Sequence, residues 1–132
     1  MKRPRTLNPL IDLRLPVGPM APGNARRALD ELTDVVSDDR LDEIRLVVAE
    51  LVTNSVRHAG MRPEEWIGLH VKVVPDSVRV EVADGGPGFE TGQPLPSMYQ
   101  DSGWGLYLVE QIADRWGVDH DPGTRVWFEI DR

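Results

Sequence analysis

Apolar residues recur along this chain with two different periods. From Ile11 to Val17 they fall on alternate positions (Ile11, Leu13, Leu15, Val17), the spacing of a short strand with one buried face. Gly18 to Gly23 holds two prolines and two glycines and predicts a turn. The period then lengthens. Ala25, Ala28, Leu29, Leu32, Val35 and Val36 predict a helix over Ala25–Val36, with Asn24 as its N-cap. Ser37-Asp38-Asp39 ends that helix and caps a longer one over Arg40–Ala59, whose stripe is Leu41, Ile44, Val48, Leu51, Val52 and Ala59. Gly60 stands at its C-cap position.

Trp66–Val74 and Ser77–Ala83 read as two strands joined by a tight Pro75-Asp76 connection. Glu90–Asp101 has no period and predicts a mobile loop. Ser102 can cap a third helix over Trp104–Trp116, followed by short strands at Val118–His120 and Arg125–Ile130. Two hairpins and three helices in this order predict an α+β two-layer sandwich. Its sheet is expected to be mixed but mostly antiparallel, with about three helices on one face. Residues 1–10 read as a flexible tail and 11–132 as a single domain.

Composition narrows the function. With 132 residues there is room for one domain and a proper core. Fifteen basic against 22 acidic residues give a formal charge of −7, the wrong sign for a general nucleic-acid binder. The absence of cysteine excludes disulfides and thiolate metal sites. No run approaches the roughly 20 apolar residues a membrane helix needs. The basic start Met1-Lys2-Arg3-Pro4-Arg5 is not followed by an apolar signal core, so a cytoplasmic location is expected.

Three segments carry residues suited to chemistry. In the first, Glu50, Asn54 and Arg57 share one helical stripe, read as lying on the flank away from the core. A carboxylate can take a proton, an amide oxygen can hold magnesium, and an arginine can pair with phosphate. In the second, an alternating strand runs into Asp84-Gly85-Gly86-Pro87-Gly88, where glycines let backbone approach a ligand. In the third, Ser102-Gly103-Trp104-Gly105-Leu106 opens a helix, a setting that suits phosphate. Each has a plain alternative when taken alone: a solvated helix face, an Asp-Gly turn, a glycine-bearing helix start.

Together, in this order, the three resemble the GHKL-type ATP-binding fold of gyrase, histidine kinases and mismatch-repair ATPases. ELVTNSVRHA looks like its N-box, ADGGPGF and SGWGLYLVEQIADRWGV like its two glycine boxes, and GTRVWFEI like its closing strand. The resemblance spans about Ile11 to Ile130. The compact form is most similar to bacterial anti-sigma-factor serine/threonine kinases, especially small actinobacterial members.

The resemblance implies ATP and Mg2+ as cofactors. It makes Asn54 the magnesium ligand, Glu50 the base for an acceptor serine, and Arg57 a phosphate contact. Asp84 would read the adenine amino group, and Gly86 and Gly88 would shape the adenine pocket. Gly103, Trp104, Gly105 and Leu106 would lie about the phosphates, and Thr124 on the adenine side. The implied partners are a sigma factor and a serine-bearing STAS-type antagonist, with no nucleic acid and no membrane. Relatives often form homodimers, for which an exposed first strand is an available edge. A second reading is a nucleotide-gated binding module with little or no kinase activity. It is motivated by Glu90–Asp101, which contains no Lys or Arg.

Overall fold

A computed structural model describes residues 10–58, 66–84, 104–119 and 124–132. The elements run in the order β1 (Ile11–Pro16), α1 (Ala21–Ala28), α2 (Asp38–His58), β2 (Trp66–Val73), β3 (Ser77–Asp84), α3 (Trp104–Ile112), β4 (Arg115–Asp119) and β5 (Arg125–Asp131). A 3-10 turn over Leu29–Leu32 follows α1. The five strands form one sheet in the order β1-β2-β3-β5-β4. All four described pairings are antiparallel, so the two-layer α+β sandwich forms without the parallel component the word mixed implied. Among the described residues no helix is long and apolar enough to cross a membrane. The tail at residues 1–9, the Gly60 C-cap, the Glu90–Asp101 loop, the Ser102 cap and His120 lie outside the described residues.

Strand alternation decides which face meets the helices. On β3, Val78, Val80 and Val82 point inward with Val126, Phe128 and Ile130 of β5 and Ile67, Leu69 and Val71 of β2. These meet Ile44, Val47, Val48, Leu51 and Val52 of α2 in one buried cluster. Ser37 caps α2 as expected, its Oγ accepting from the Arg40 backbone N–H at 3.2 Å.

Two element boundaries differ from the sequence reading. The first helix starts at Ala21 rather than Ala25, with a proline in its first turn. First-turn N–H groups have no partner inside a helix, so Pro22 costs nothing there. Asn24 is therefore inside the helix, and its side-chain oxygen accepts from Arg27 instead of capping. After Ala28 the helix tightens, and three residues per turn place Leu29 and Leu32 on the same buried side. The third helix ends at Ile112, and Trp116 lies in β4, opposite Phe128. Pairing with β5 stops the helix. The Asp114 N–H donates to the Glu129 carbonyl at 2.9 Å, and Arg115 donates to the carboxylates of Glu129 (2.7 Å) and Asp131 (2.6 Å).

The outer sheet face is a polar layer that satisfies itself. Arg79 donates to Glu81 at 2.9 Å and to Glu129 at 3.2 Å, and its guanidinium stacks 4.2 Å from the Trp127 ring centre. Arg14 stacks 4.4 Å from the Trp66 ring centre, and His70 lies 2.7 Å from Asp12. The Trp127 indole lies across Gly117, where an added Cβ would meet three ring atoms at 2.7–2.9 Å. The Arg115 hydrogen bond is the main reason the Glu129 carboxyl sits below its ordinary range, burial opposing it. Burial pulls the Arg79 guanidinium down, but its two carboxylate bonds outweigh that and leave it raised.

Gly117→Ala should destabilise the fold by about 1–3 kcal/mol in denaturant unfolding, since a rigid ring must move. Gly23→Ala, in a helix with its nearest neighbour at 4.0 Å, should instead stabilise it by up to about 1 kcal/mol. The depressed Glu129 carboxyl contributes stability that is present above its unfolded value, near 4.5, and lost as pH falls through the lower folded value. The gap in unfolding midpoint between the parent and Glu129→Gln should therefore be widest near neutrality and close under acid; a gap independent of pH would contradict this coupling.

Candidate functional site

The open end of the β3–β5 pair brings two of the expected site residues together. The ladder's last register pair is Ala83 with Arg125, and one step further the Asp84 N–H donates to the Thr124 carbonyl at 2.7 Å. Asp84 has the inward parity of Val78, Val80 and Val82, so its side chain is buried (8% exposed). Thr124 precedes β5 and is 2% exposed. Its Oγ1 is buried and has no hydrogen-bond partner among the described residues. A buried hydroxyl without a partner carries a cost of about 1–3 kcal/mol, so its place at this corner calls for a ligand atom or a water.

Asp84 and Thr124 offer complementary chemistry. An ionised carboxylate only accepts, whereas a hydroxyl both donates and accepts. Side by side on apolar strands, they suit a planar heterocycle carrying an amino group beside a ring nitrogen. Ile67, fully buried and in register with Asp84, backs the carboxyl from β2. The sequence reading did not single out Ile67; the signal for it was the alternation of the strand starting at Trp66.

Glu50 and Asn54 come from α2, one turn apart. Their surroundings differ from the expected open flank. Asn54 is 2% exposed and continues the buried row of Val47 and Leu51, at a spacing of three or four residues. Glu50 is half-buried, between that row and the exposed Leu46. The stripe therefore runs along the margin of the core. Val47 and Ala49, absent from the expected apolar stripe, are both buried, which leaves α2 only a narrow exposed strip. A buried amide in mid-helix is costly unless its polar atoms are used. Ser55, beside it, is also buried.

α2 packs against β3, which carries Asp84, and against α3. Trp104, Gly105 and Leu106 form the first turn of α3, as expected, and Leu106 packs half-buried against the core. Arg57 lies in the last turn of α2, its side chain outside what is described. Gly86, Gly88 and Gly103 lie outside the described residues. Among the described residues there is no cluster of three or more His, Cys, Asp or Glu that could hold a metal.

Comparison with known proteins gives the family. Residues 18–130 match the family described as histidine kinase-like ATPase domain. The chain is similar to the serine-protein kinase RsbW of Listeria innocua, 27% identical over an alignment that covers 92% of this chain and 86% of that protein. It is similar also to the serine-protein kinase RsbW of Oceanobacillus iheyensis, at 25% over 88% of this chain and 82% of the relative. The Bacillus subtilis protein of that name is 25% identical, over 88% and 81%.

Thr124→Val keeps the shape of the side chain and removes the buried hydroxyl that has no partner among the described residues. It should leave unfolding stability unchanged or raise it by up to about 1 kcal/mol while weakening nucleotide binding. Loss of more than about 1 kcal/mol would mean that the hydroxyl has a partner within the fold.

Proposed function

Since the chain belongs to the histidine kinase-like ATPase domain family, as the match over residues 18–130 establishes, we propose that it binds Mg2+–ATP and phosphorylates a serine on a protein partner. The observation that carries this reading is the Asp84–Thr124 corner, a buried carboxylate beside a buried hydroxyl that has no hydrogen-bond partner among the described residues. The names of the relatives supply the reaction type.

ATP would supply the transferable phosphoryl group, and magnesium would neutralise its charge. Asp84 would accept a hydrogen bond from the adenine amino group, and Thr124 would contact the adenine side. Asn54, at the buried margin of α2, would hold magnesium through its amide oxygen. Glu50, half-buried one turn earlier, orients the acceptor serine hydroxyl and takes its proton. Arg57, the α3 start at Gly103 to Leu106, and Gly86 and Gly88 complete the reading, as phosphate and pocket contacts. By this reading the acceptor is a STAS-type antagonist, the second partner is a sigma factor, and the protein works in the cytoplasm.

The absence of Lys and Arg from Glu90–Asp101 favours a second reading, in which nucleotide sets partner affinity and no phosphate is transferred. Labelled ATP, magnesium and candidate STAS-type antagonists would separate the two. The kinase reading expects phosphoserine on an antagonist. It also expects Glu50→Ala to slow transfer by about 10²–10⁴-fold with ATP affinity kept. Asp84→Asn should weaken ATP binding by about tenfold or more, the worth of a charged hydrogen bond. Tight ATP binding with no phosphoserine would leave the second reading standing. Unchanged ATP affinity in Asp84→Asn would sink the pocket assignment.

A further inference from the structure

Buried polarity is unevenly placed in this fold. Among the described residues the buried side chains that are polar or charged are Asn54, Ser55, Ser77, Asp84 and Thr124. Ser77 starts β3; Asp84 ends it, with Thr124 beside it. The end of α2 belongs to the Asp84 end as well. Pro16 is in register with Trp66, and Ile67 with Asp84, so the close of β1, the start of β2 and the close of β3 share one end of the sheet. α1 starts there too, at Ala21, shortly after Pro16. α2 packs along α1 and stops at His58, a few residues before β2 starts at that same end. All the buried polar side chains except Ser77 therefore gather at one end of the fold. Asn54, Asp84 and Thr124 each have a part in the nucleotide reading, and Ser55 has none.

The helical row that carries Ser55 is the one that meets the sheet. Val48, Leu51, Val52 and Ser55 follow one another at the spacing of a single helix face. Val48 and Val52 are fully buried in the cluster that joins α2 to the strands, and Leu51 nearly so. Ser55 continues that row and is its first hydroxyl, 5% exposed. The 21 residues of α2 span about 32 Å and the 8 of β3 about 27 Å, so the helix is long enough to carry the row to the level of Asp84. Asn54 is turned about 100° around the helix from Ser55, toward the margin of the core. A hydroxyl on a core row lowers stability unless a partner takes up its hydrogen bond.

This end of the fold thus holds a carboxylate and two hydroxyls. If the adenine amino group donates to Asp84, the ring nitrogens on either side of it remain as acceptors, and an ionised carboxylate has no proton to offer them. Hydroxyls do. Thr124 supplies one, its Oγ1 buried without a partner among the described residues. We propose that Ser55 supplies the second, its hydroxyl donating, directly or through one water, to a ring nitrogen beside the amino group. The proposal rests on the adenine reading of the Asp84–Thr124 corner and extends it from the sheet to α2. The base is then held from both layers, by two strand ends and by the helix row that otherwise only packs.

Titration calorimetry on the whole chain tests it, with Mg2+–ATP and with the 1-deaza and 7-deaza forms of ATP. Each analogue lacks one of the two ring nitrogens that flank the amino group. Ser55→Ala should weaken ATP binding about three- to tenfold, the worth of one hydrogen bond between neutral groups. For one of the two analogues the parent should already show that loss, and Ser55→Ala should add nothing to it. For the other analogue the variant should lose the full factor again. Alanine is the better helix former, so the unfolding midpoint of Ser55→Ala without nucleotide should equal or exceed that of the parent. ATP affinity unchanged in Ser55→Ala would overturn the proposal while leaving the corner's reading intact. So would an equal loss with ATP and both analogues, the mark of a packing role alone. A parent that binds no ATP would remove the corner's reading and the proposal together.

Discussion

The pairing of β3 with β5 is the contact on which the rest of the molecule depends. It joins residues 77–83 to 125–131, a long-range closure whose entropy cost has to be met before any local gain appears. It is met by two rows of side chains. Val78, Val80 and Val82 meet Val126, Phe128 and Ile130 on the inner face, all nearly free of solvent. On the outer face Arg79 reaches across to Glu129 and stacks on Trp127. The same ladder, extended by one hydrogen bond at its open end, sets Thr124 beside Asp84. Core and candidate site are thus two ends of one pairing. A slip of one residue would exchange the inner and outer rows and separate the site residues as well.

The long helix α2 serves both purposes in a different way. Its lower half is an ordinary core helix with Leu41, Ile44, Val47, Val48, Leu51 and Val52 buried. Its upper half replaces the next buried positions by Asn54 and Ser55. Carrying polar groups into a core lowers stability unless each finds a partner. The fold accepts that cost at one end of one helix. Concentrating buried polarity at one end of an otherwise apolar layer is what separates a binding site from a packing element here.

Charge is distributed to match. The chain carries −7, yet the sheet's outer face alternates signs from Asp131 through Arg115, Glu129, Arg79 and Glu81 to Arg125. That face is locally balanced. The excess of acid lies elsewhere, much of it in the exposed stretch from Asp30 to Asp42. The interior corner at Asp84 is insulated from both by the apolar rows around it.

Much of this could be read directly from the sequence. Alternation predicted β1, β2, β3 and β5 to within a residue or so, because each keeps one face on the core. Ser37 marked the start of α2, since a cap is a local interaction between neighbours. The order of the three motif segments pointed to the family and to the residues that a nucleotide site would use. What local pattern could not settle was decided by contacts far apart in sequence. Trp116 has helical neighbours before it, yet Glu129, Asp131 and Phe128 draw it into a strand. Asn54 reads as a flank residue until β3 and α3 close over α2, which moves the edge of the core by one position and buries it. Asp84 and Thr124 are separated by 39 intervening residues in the chain, and no spacing rule connects them. Local periodicity determines which elements form. The register of β3 on β5, a long-range choice made by the fit of two side-chain rows, determines which of their ends meet to make a site.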